Sequence, residues 1–199
     1  MNKMMSGMLV AAAVLGLAVL VPLKAQTSAQ DQQKAMEAYM KAAAVTENHA
    51  FLKRMAGSWL AQTTMWTFPG QPPTMSQNTF DGTMILGGRF VSLAYKGTMM
   101  GQPFEGVQIT GYDNLQKKYI TLWIDNTSTS FFLLSGHREP GKDIINQKGE
   151  WPDPMTGGME KVRAAVTYTG PDSYVFEQFM TLPDGKEFKS MEMRCTRKK

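Results

Sequence analysis

Ten short segments of strand-like composition, separated by turn residues, place the strongest constraint on the fold of this chain. Each segment mixes aromatic, β-branched and polar side chains, which is typical of strands. The segments cover residues 57–67, 76–86, 88–97, 104–112, 118–126, 129–137, 142–149, 160–168, 173–181 and 187–197. This pattern predicts an all-β fold: a single, closed, antiparallel up-and-down β-barrel of about ten strands that encloses a pocket.

The turns between the segments have local chemical causes. Gly87-Gly88 and Asp184-Gly185 suit tight hairpins that need positive φ, and Tyr112-Asp113-Asn114 begins another turn. Two longer stretches, residues 69–73 and 151–158, carry prolines and glycines that cannot sustain a hydrogen-bonded ladder. We therefore predict long loops there, and these loops are the candidates for lids.

Several segments carry apolar residues at both odd and even positions. Residues 119–124, for example, are Tyr-Ile-Thr-Leu-Trp-Ile, whereas a sheet with one wet face would alternate more regularly. This pattern favours a barrel with a semi-polar interior and a partly covered outer wall. A sandwich of two sheets is the alternative.

The N-terminus has the organisation of a secretory signal peptide. Lys3 precedes an apolar run at residues 8–21, and residues 22–25 form a cleavage boundary that ends at Ala25. The run is shorter than the roughly 20 residues of a comfortable membrane span. We predict cleavage after Ala25 and export to the periplasm or the medium without stable membrane insertion, and we favour this over an uncleaved anchor.

The mature chain divides into a helical segment, residues 26–55, and a barrel domain, residues 56–199. Residues 30–45 favour a helix, and their apolar side chains recur at a spacing of three and four. We expect this helix to lie against the barrel wall or to cap one end. A second short helical turn is predicted at residues 48–55.

Charge and cysteine content exclude several classes of protein. The formal net charge is +4, and loss of Lys3 and Lys24 with the signal would leave +2, which does not argue for nucleic-acid binding. The single cysteine, Cys195, cannot form an intrachain disulfide and fits a small wall residue better than a nucleophile. The sequence does not define an oligomeric state.

No cofactor or metal is predicted. The two histidines are poorly placed for heme, since His49 precedes the barrel and His137 ends the sixth strand. Methionine is frequent, but the positions are dispersed, so core filling explains them better than Cu(I) binding.

An even number of up-and-down strands places the last strand antiparallel to the first, so Trp59 should lie beside Arg197. Gly57-x-Trp59 with a late arginine resembles the lipocalin and calycin signature. That resemblance implies a structural role, in which the guanidinium covers the indole face and binds backbone carbonyls near the closed end. Arg194 is the alternative to Arg197.

A longer resemblance covers nearly the whole mature chain. The matching blocks lie at residues 51–59, 66–73, 86–90, 100–106, 111–114, 123–125, 183–188, 191–192 and 196–198. In this order they resemble a bacterial secreted family known only as domain of unknown function 1579. The resemblance implies a lipocalin-like barrel and no activity. Cys195 departs from the pattern, where an aromatic residue is expected.

Candidate pocket residues are charged side chains embedded among apolar strand residues. They are Arg89, Glu105, Asp125, Arg163, Glu177 and Glu192. A charge inside a barrel must be paired or must face a wet cavity. Those that point inward are therefore pocket candidates, and the alternatives are a solvated outer face or a buried Arg–Glu pair that holds the barrel together.

These residues suggest an exported barrel that binds a small amphipathic or hydrophobic molecule. Arg89 and Arg163 could hold an anionic head group, and Tyr112 and Trp123 could stack on an apolar body. Asp125, Glu177 and Glu192 complete the expected ligand-binding set, with Glu177 or Glu192 orienting the arginines. The alternatives are a barrel enzyme that uses a pocket carboxylate as general acid or base, and a protein-interaction module that presents the two long loops. Binding is favoured over catalysis.

Overall fold

The computed structural model describes residues 28–99, 101–153 and 155–199. The predicted signal peptide, residues 1–25, lies outside the described residues. Helix α1 (Ala29–Ala43) is followed by α2 (Glu47–Leu52) and a 3-10 turn (Lys53–Met55). The strands are β1 (Gly57–Met65), β2 (Thr74–Ile85), β3 (Phe90–Met99), β4 (Gln102–Asp113), β5 (Lys118–Asp125), β6 (Phe132–Arg138), β7 (Ile144–Pro152), β8 (Met159–Gly170), β9 (Ser173–Thr181) and β10 (Glu187–Arg197). No described helix is long and apolar enough to cross a membrane.

The ten strands form one closed antiparallel barrel. Each strand pairs with its neighbours in sequence, and β1 pairs with β10 to close the ring. The predicted fold class is confirmed, and the sandwich alternative is wrong. All ten predicted segments are strands, although β3 begins at Phe90 because residues 86–88 form a 3-10 turn.

The two ends of the barrel differ. The helix α2 and the 3-10 turn lie at the end where β1 begins, and they bury Phe51, Leu52 and Met55. We call this the closed end. The opposite end, the open end, carries the connections β1–β2, β3–β4, β5–β6, β7–β8 and β9–β10. Both predicted lid loops are therefore at the open end.

The residues before β1 are fixed by local polar contacts. Thr46 caps α2, and its backbone N–H donates to His49 Nδ1 at 3.0 Å. His49 is buried, and its burial lowers its pKa. Further back, the Asn114 amide donates to Ala42 O and Ala44 O at 2.9 and 2.7 Å. Tyr39 and Met40, two residues of the predicted apolar stripe of α1, are exposed.

Most of the core occupies the closed half of the barrel, and Phe104 extends it towards the open end of β4. Trp59 stacks on Phe80 with ring centroids 6.1 Å apart, and Phe80 stacks on Tyr95 at 4.5 Å. Tyr174 contacts Trp59 edge-on at 5.0 Å. These rings come from strands that the barrel brings together, and all of them are buried. Their removal from water is the main driving force for closing the barrel.

The expected pairing of the first and last strands is observed. Trp59 pairs with Arg197, whose Cζ lies 4.3 Å from the centre of the indole ring. The guanidinium donates to the carbonyl oxygens of Arg54, at 3.1 Å, and Ala56. Arg194, the alternative, has a largely exposed side chain and pairs with Glu192 on the outer wall.

Candidate functional site

The strand register shows which residues face the interior of the open half. The following inward-facing side chains are partly exposed: Gln108, Trp123, Asp125, Phe132, Leu134, Trp151, Glu160, Phe176, Gln178, Met180 and Met191. We call this set the mouth. Because the sheet is closed, an inward side chain midway along a strand reaches water only through an end of the barrel. The interior of the open half is therefore accessible to solvent.

A belt of hydrogen-bonded polar side chains lies deeper in the barrel. Thr121 Oγ1 lies 2.9 Å from Thr110 Oγ1 and donates to Gln147 Oε1 at 3.0 Å, and Gln147 Nε2 donates to Tyr119 O. These buried groups satisfy one another. By contrast, the buried hydroxyl of Thr63 on β1 has no hydrogen-bond partner within the described residues. The interior is semi-polar, as the sequence predicts.

Three aromatic residues follow one another around the mouth on adjacent strands. Trp123 on β5 is paired with Phe132 on β6, and Phe132 meets Trp151 on β7 edge to face at 5.2 Å. We call these three residues the aromatic row. Trp123 leans away from Phe132, towards β4, where its ring lies over Gly106 and stacks on Phe104 at 6.2 Å. A side chain at position 106 would collide with this indole, which explains the glycine there.

A carboxylate lies at each end of the aromatic row. Trp123 Nε1 donates to Asp125 Oδ2 at 2.7 Å, and Asp125 also accepts from Thr127 N and Oγ1. At the other end, Glu160 on β8 pairs with Trp151 in the strand register. Burial raises the pKa of Glu160; the Trp151 indole opposes this shift, and the Asp153 carboxylate adds to it. Glu160 thus has the environment that the enzyme alternative requires of one carboxylate.

A family model described as "Protein of unknown function (DUF1579)" matches residues 44–197. The chain belongs to this family. The match begins just before α2 and ends at the last residue of β10, so it covers the whole barrel and the segment that closes it. It agrees with the resemblance seen in the sequence. No curated protein matches the chain.

Two solved structures have a similar fold. The crystal structure of Rv2717c from M. tuberculosis has 10% sequence identity and a TM-score of 0.55, and the match covers 78% of this chain and 100% of that chain. The S-type phycobiliprotein lyase CPES from Guillardia theta has 11% identity and a TM-score of 0.52, with 81% of this chain and 97% of that chain covered. These likenesses support a lipocalin-like barrel, and at such identities they show the fold alone.

The structure brings two of the predicted ligand-binding residues, Trp123 and Asp125, to the mouth. Tyr112 also faces inward but lies near the closed end, where it contacts His49 and Tyr119. Arg89 lies in the closed-end turn between β2 and β3, is exposed, and donates to Leu86 O at 3.3 Å. Tyr112 and Arg89 are therefore remote from the mouth.

Three other predicted ligand-binding residues, Arg163, Glu177 and Glu192, lie on the outer wall. The inward positions on β8 and β9 are the even ones, and the alternate residues Arg163 and Glu177 face outward. On β10 the inward positions next to Glu192 are Met191 and Met193. The expected cluster of these charges inside the barrel is thus not what the structure shows. Glu105 is also outward and exposed.

The outer-wall charges pair with one another. Arg163 binds Glu187 through contacts of 2.6 to 3.0 Å and lies 3.9 Å from the Phe179 ring centre. Lys189 joins Glu177 and Glu192 at 2.5 and 2.9 Å. These charges match the alternative of a solvated outer face, and the Arg163–Glu187 pair is not the buried pair that the sequence left open. Their pairing on the outer wall leaves these groups no direct route to a ligand in the barrel.

Two clefts lie around the closed end, away from the mouth. One, of about 630 Å³, is lined by Arg54, Asp143, Tyr168 and Arg197, but its arginines are already paired, Arg54 with Asp143 at 2.7 Å and Arg197 with Asp172 at 2.7 Å. The other, of about 400 Å³, is a mainly apolar groove at the closed-end edge of β4 and β5, and its lining brings together Arg89 and Tyr112, two of the predicted ligand-binding residues. Within the described residues, no group of His, Cys, Asp and Glu is arranged to hold a metal ion.

Sequence reasoning missed most of the mouth. Phe132, Trp151, Glu160 and Gln178 are not among the predicted site residues, and the predicted loop at residues 151–158 includes Trp151, which lies in β7. The alternation of side chains along each strand could identify these residues as inward-facing, if the count starts at Trp59 and continues through each hairpin in turn. That count needs the register of every hairpin, which the sequence does not provide.

Cys195 is enclosed in the core. Burial raises the pKa of its thiol to about 12, and the nearby Tyr174 hydroxyl partly opposes the shift. The thiol is therefore protonated near neutral pH and is a poor nucleophile.

Proposed function

We propose that the barrel binds a small amphipathic molecule, whose apolar part enters the open half and contacts the mouth. The observation that carries this proposal is the partial exposure of inward-facing aromatic and aliphatic side chains midway along the strands. Concave apolar surfaces with a few converging polar groups are typical of small-molecule sites. The mouth adds Gln108 and Gln178 to such an apolar wall.

Burial of this surface by a ligand supplies the driving force. Removing apolar area from water is worth about 25 cal/mol per Å², so covering one aromatic side chain contributes on the order of 1–2 kcal/mol. Phe176, on the wall of the mouth, also packs against the core cluster, which holds its ring in place. A preorganised ring loses little conformational freedom on binding.

An anionic head group is no longer favoured. That expectation rested on Arg89 and Arg163, and neither faces the mouth. The acid–base alternative retains Glu160 as a candidate but has no second group in a defined catalytic geometry. Ligand binding therefore remains the proposal, and export of the mature chain, residues 26–199, is part of it.

The test is native mass spectrometry of the protein purified from the exported fraction, followed by denaturing extraction of any bound molecule. We expect the mass of a chain that begins at Gln26 and a stoichiometric amphipathic molecule that unfolding releases. A cytoplasmic, uncleaved chain would contradict export. An empty barrel that binds no member of a panel of amphiphiles would overturn the binding proposal.

Two variants of one strand provide the matched control. Phe176→Ala removes an inward ring from the mouth, whereas Phe179→Ala removes a ring of the same size from the outer wall. We expect Phe176→Ala to weaken binding about tenfold, the equivalent of roughly 1.4 kcal/mol, and Phe179→Ala to leave the affinity unchanged. Equal affinities for the two variants would place the ligand elsewhere.

A further inference from the structure

The charged side chains at the mouth are all acidic. Of the inward-facing residues that define the mouth, only Asp125 and Glu160 carry a charge. Neither forms an ion pair with a cation in the described part of the chain. On the outer wall, by contrast, Glu177, Glu187 and Glu192 each have a lysine or arginine partner. The mouth thus holds two carboxylates without a positively charged partner.

The aromatic row joins these two carboxylates. Asp125 is bound to the Trp123 indole at 2.7 Å, and Glu160 neighbours Trp151. Trp and Phe rings attract a cation at their faces, and tryptophan does so most strongly. Trp123 packs towards β4, where it contacts Phe104 and Tyr95, whereas Phe132 meets Trp151 edge to face, so the two paired side chains diverge. Aromatic faces next to carboxylates are the chemistry that recognises an ammonium group.

The described loops around the mouth contain no unpaired positive charge that would offset the charges of Asp125 and Glu160. Residues 66–73 and 126–131, in two of the open-end loops, contain no charged side chain. Asp153 lies at the β7–β8 connection, and in the β9–β10 connection Lys186 pairs with Asp184 at 3.0 Å. No cation within the described open-end connections is therefore left to neutralise Asp125 or Glu160. Inside the mouth, the two carboxylates favour a positively charged ligand over an anionic one, since Lys161 beside Glu160 lies on the outer wall.

The open half also contains a polar atom that lacks a partner. Thr63, two residues before the open-end terminus of β1, faces inward, and its buried hydroxyl has no hydrogen-bond partner within the described residues. β1 lies opposite β6 in the ring of ten strands, so Thr63 and Phe132 are on facing walls. A buried hydroxyl without a partner costs about 1–3 kcal/mol. This half of the barrel is thus polar enough to favour a ligand with hydrogen-bonding groups besides its apolar body.

We infer that the ligand of the barrel carries a positively charged ammonium group, held at the aromatic row between Asp125 and Glu160. This inference rests on the proposed function, because it assigns the polar end of the same amphipathic ligand. The apolar body lies deeper, against Phe176 and Met180. The raised pKa of Glu160 supports the inference. Burial disfavours the charged form of this carboxyl group, and a cationic ligand beside it would stabilise that form.

The experiment compares three amphiphiles with the same ten-carbon chain below their micelle concentrations: decyltrimethylammonium, decyl maltoside and decyl sulfate. Calorimetry and tryptophan fluorescence report their affinities for the mature protein. We expect the ammonium compound to bind at least tenfold more tightly than the other two. Equal or tighter binding of the neutral or anionic compound would overturn the inference while leaving the proposed function intact. If none of the three binds, the proposed function fails and the inference fails with it.

Substitutions locate the effect at the aromatic row. Glu160→Gln should lower the affinity for decyltrimethylammonium about fivefold to tenfold and leave that for decyl maltoside unchanged. The control is Glu150→Gln, which removes an exposed carboxylate from the outer face of β7, next to Trp151. Trp151→Leu, a second variant that keeps an apolar side chain, should produce the same selective loss. If Glu150→Gln weakens ammonium binding as much as Glu160→Gln does, general surface charge explains the preference and the inference is wrong.

Discussion

Gly57, Trp59 and Arg197 show how single residues fix the closed end. Gly57 has φ of 108°, a conformation that side chains disfavour, and a Cβ there would also meet the Arg197 guanidinium. Arg197 can then cover the indole of Trp59 and bind the carbonyl oxygens of Arg54 and Ala56. The Gly-x-Trp motif is therefore a packing requirement of the closed end, and the glycine and the arginine depend on each other.

Replacing Arg197 should destabilise the barrel. Arg197→Met keeps an apolar stem but loses hydrogen bonds from a charged group, worth about 1.5–3 kcal/mol, and the stack on Trp59. We expect the free energy of unfolding to fall by about 2–3 kcal/mol in urea titrations followed by tryptophan fluorescence. Arg194→Met, on the same strand but with a largely exposed side chain, is the control and should change it by less than about 0.5 kcal/mol. Similar losses in both variants would contradict the structural role of Arg197.

At the scale of the strands, the sequence predicts the elements better than it predicts their faces. All ten strands could be found because glycine, proline and Asp-Gly turns interrupt the pattern for local reasons. The pairing of Trp59 with Arg197 could also be predicted, since it depends only on the number and order of the strands. The direction of Arg163, Glu177 and Glu192 could not, because it depends on which face of each strand is inside.

The inward face of each strand could not be predicted because the outer wall of the barrel is also largely apolar. On β5, Tyr119, Thr121 and Trp123 face inward, while Ile120, Leu122 and Ile124 face outward and are only partly exposed. Alternation of apolar and polar residues therefore does not mark the inside. For the same reason the aromatic row escaped prediction, since it depends on three hairpin registers in succession.

The outer-wall charges of β9 and β10 give the stability of these strands a pH dependence. Lys189 and Arg194 hold the pKa of Glu192 below its usual value, with the hydrogen bond from Lys189 as the largest cause. Because the folded pKa is lowered, the stabilisation is fully present above the unfolded value near 4.5 and is lost as the pH falls through the folded value. Glu192→Gln should thus cost about 0.5–1 kcal/mol near pH 7 and progressively less as the pH falls below about 4.5.

Urea unfolding of wild type and Glu192→Gln across this pH range measures the difference. Glu105→Gln, which changes an exposed carboxylate on the outer face of β4, is the control and should change the free energy of unfolding by less than about 0.5 kcal/mol. High salt should also shrink the Glu192→Gln effect, because the pairs are near the surface. A cost that stays constant from pH 7 to pH 3 would show that the Glu192 ion pairs do not contribute.

For the whole molecule, the barrel combines a packed half with an accessible half. The largest fully buried side chains include Trp59, Phe80, Leu93 and Tyr119, together with Leu52 from α2. The interior of the open half, by contrast, is partly exposed along β4 to β10. One half therefore supplies the stability, and the other can hold a surface that is not fully buried, as a binding site requires.

This division predicts a gradient of amide hydrogen exchange along the barrel axis. Two inward-facing positions at equal distances from the ends of β9 provide the comparison, because both pair with β8 and β10: Tyr174 near the closed end and Met180 near the open end. The closed-end amide should exchange at least about tenfold more slowly, since opening it exposes the aromatic core, whereas the open end already admits water. Addition of an amphiphile that binds should slow exchange at the open end and leave the closed end unchanged. Equal protection at both ends, or a ligand effect confined to the closed end, would mean that the open half is not the accessible part of the barrel.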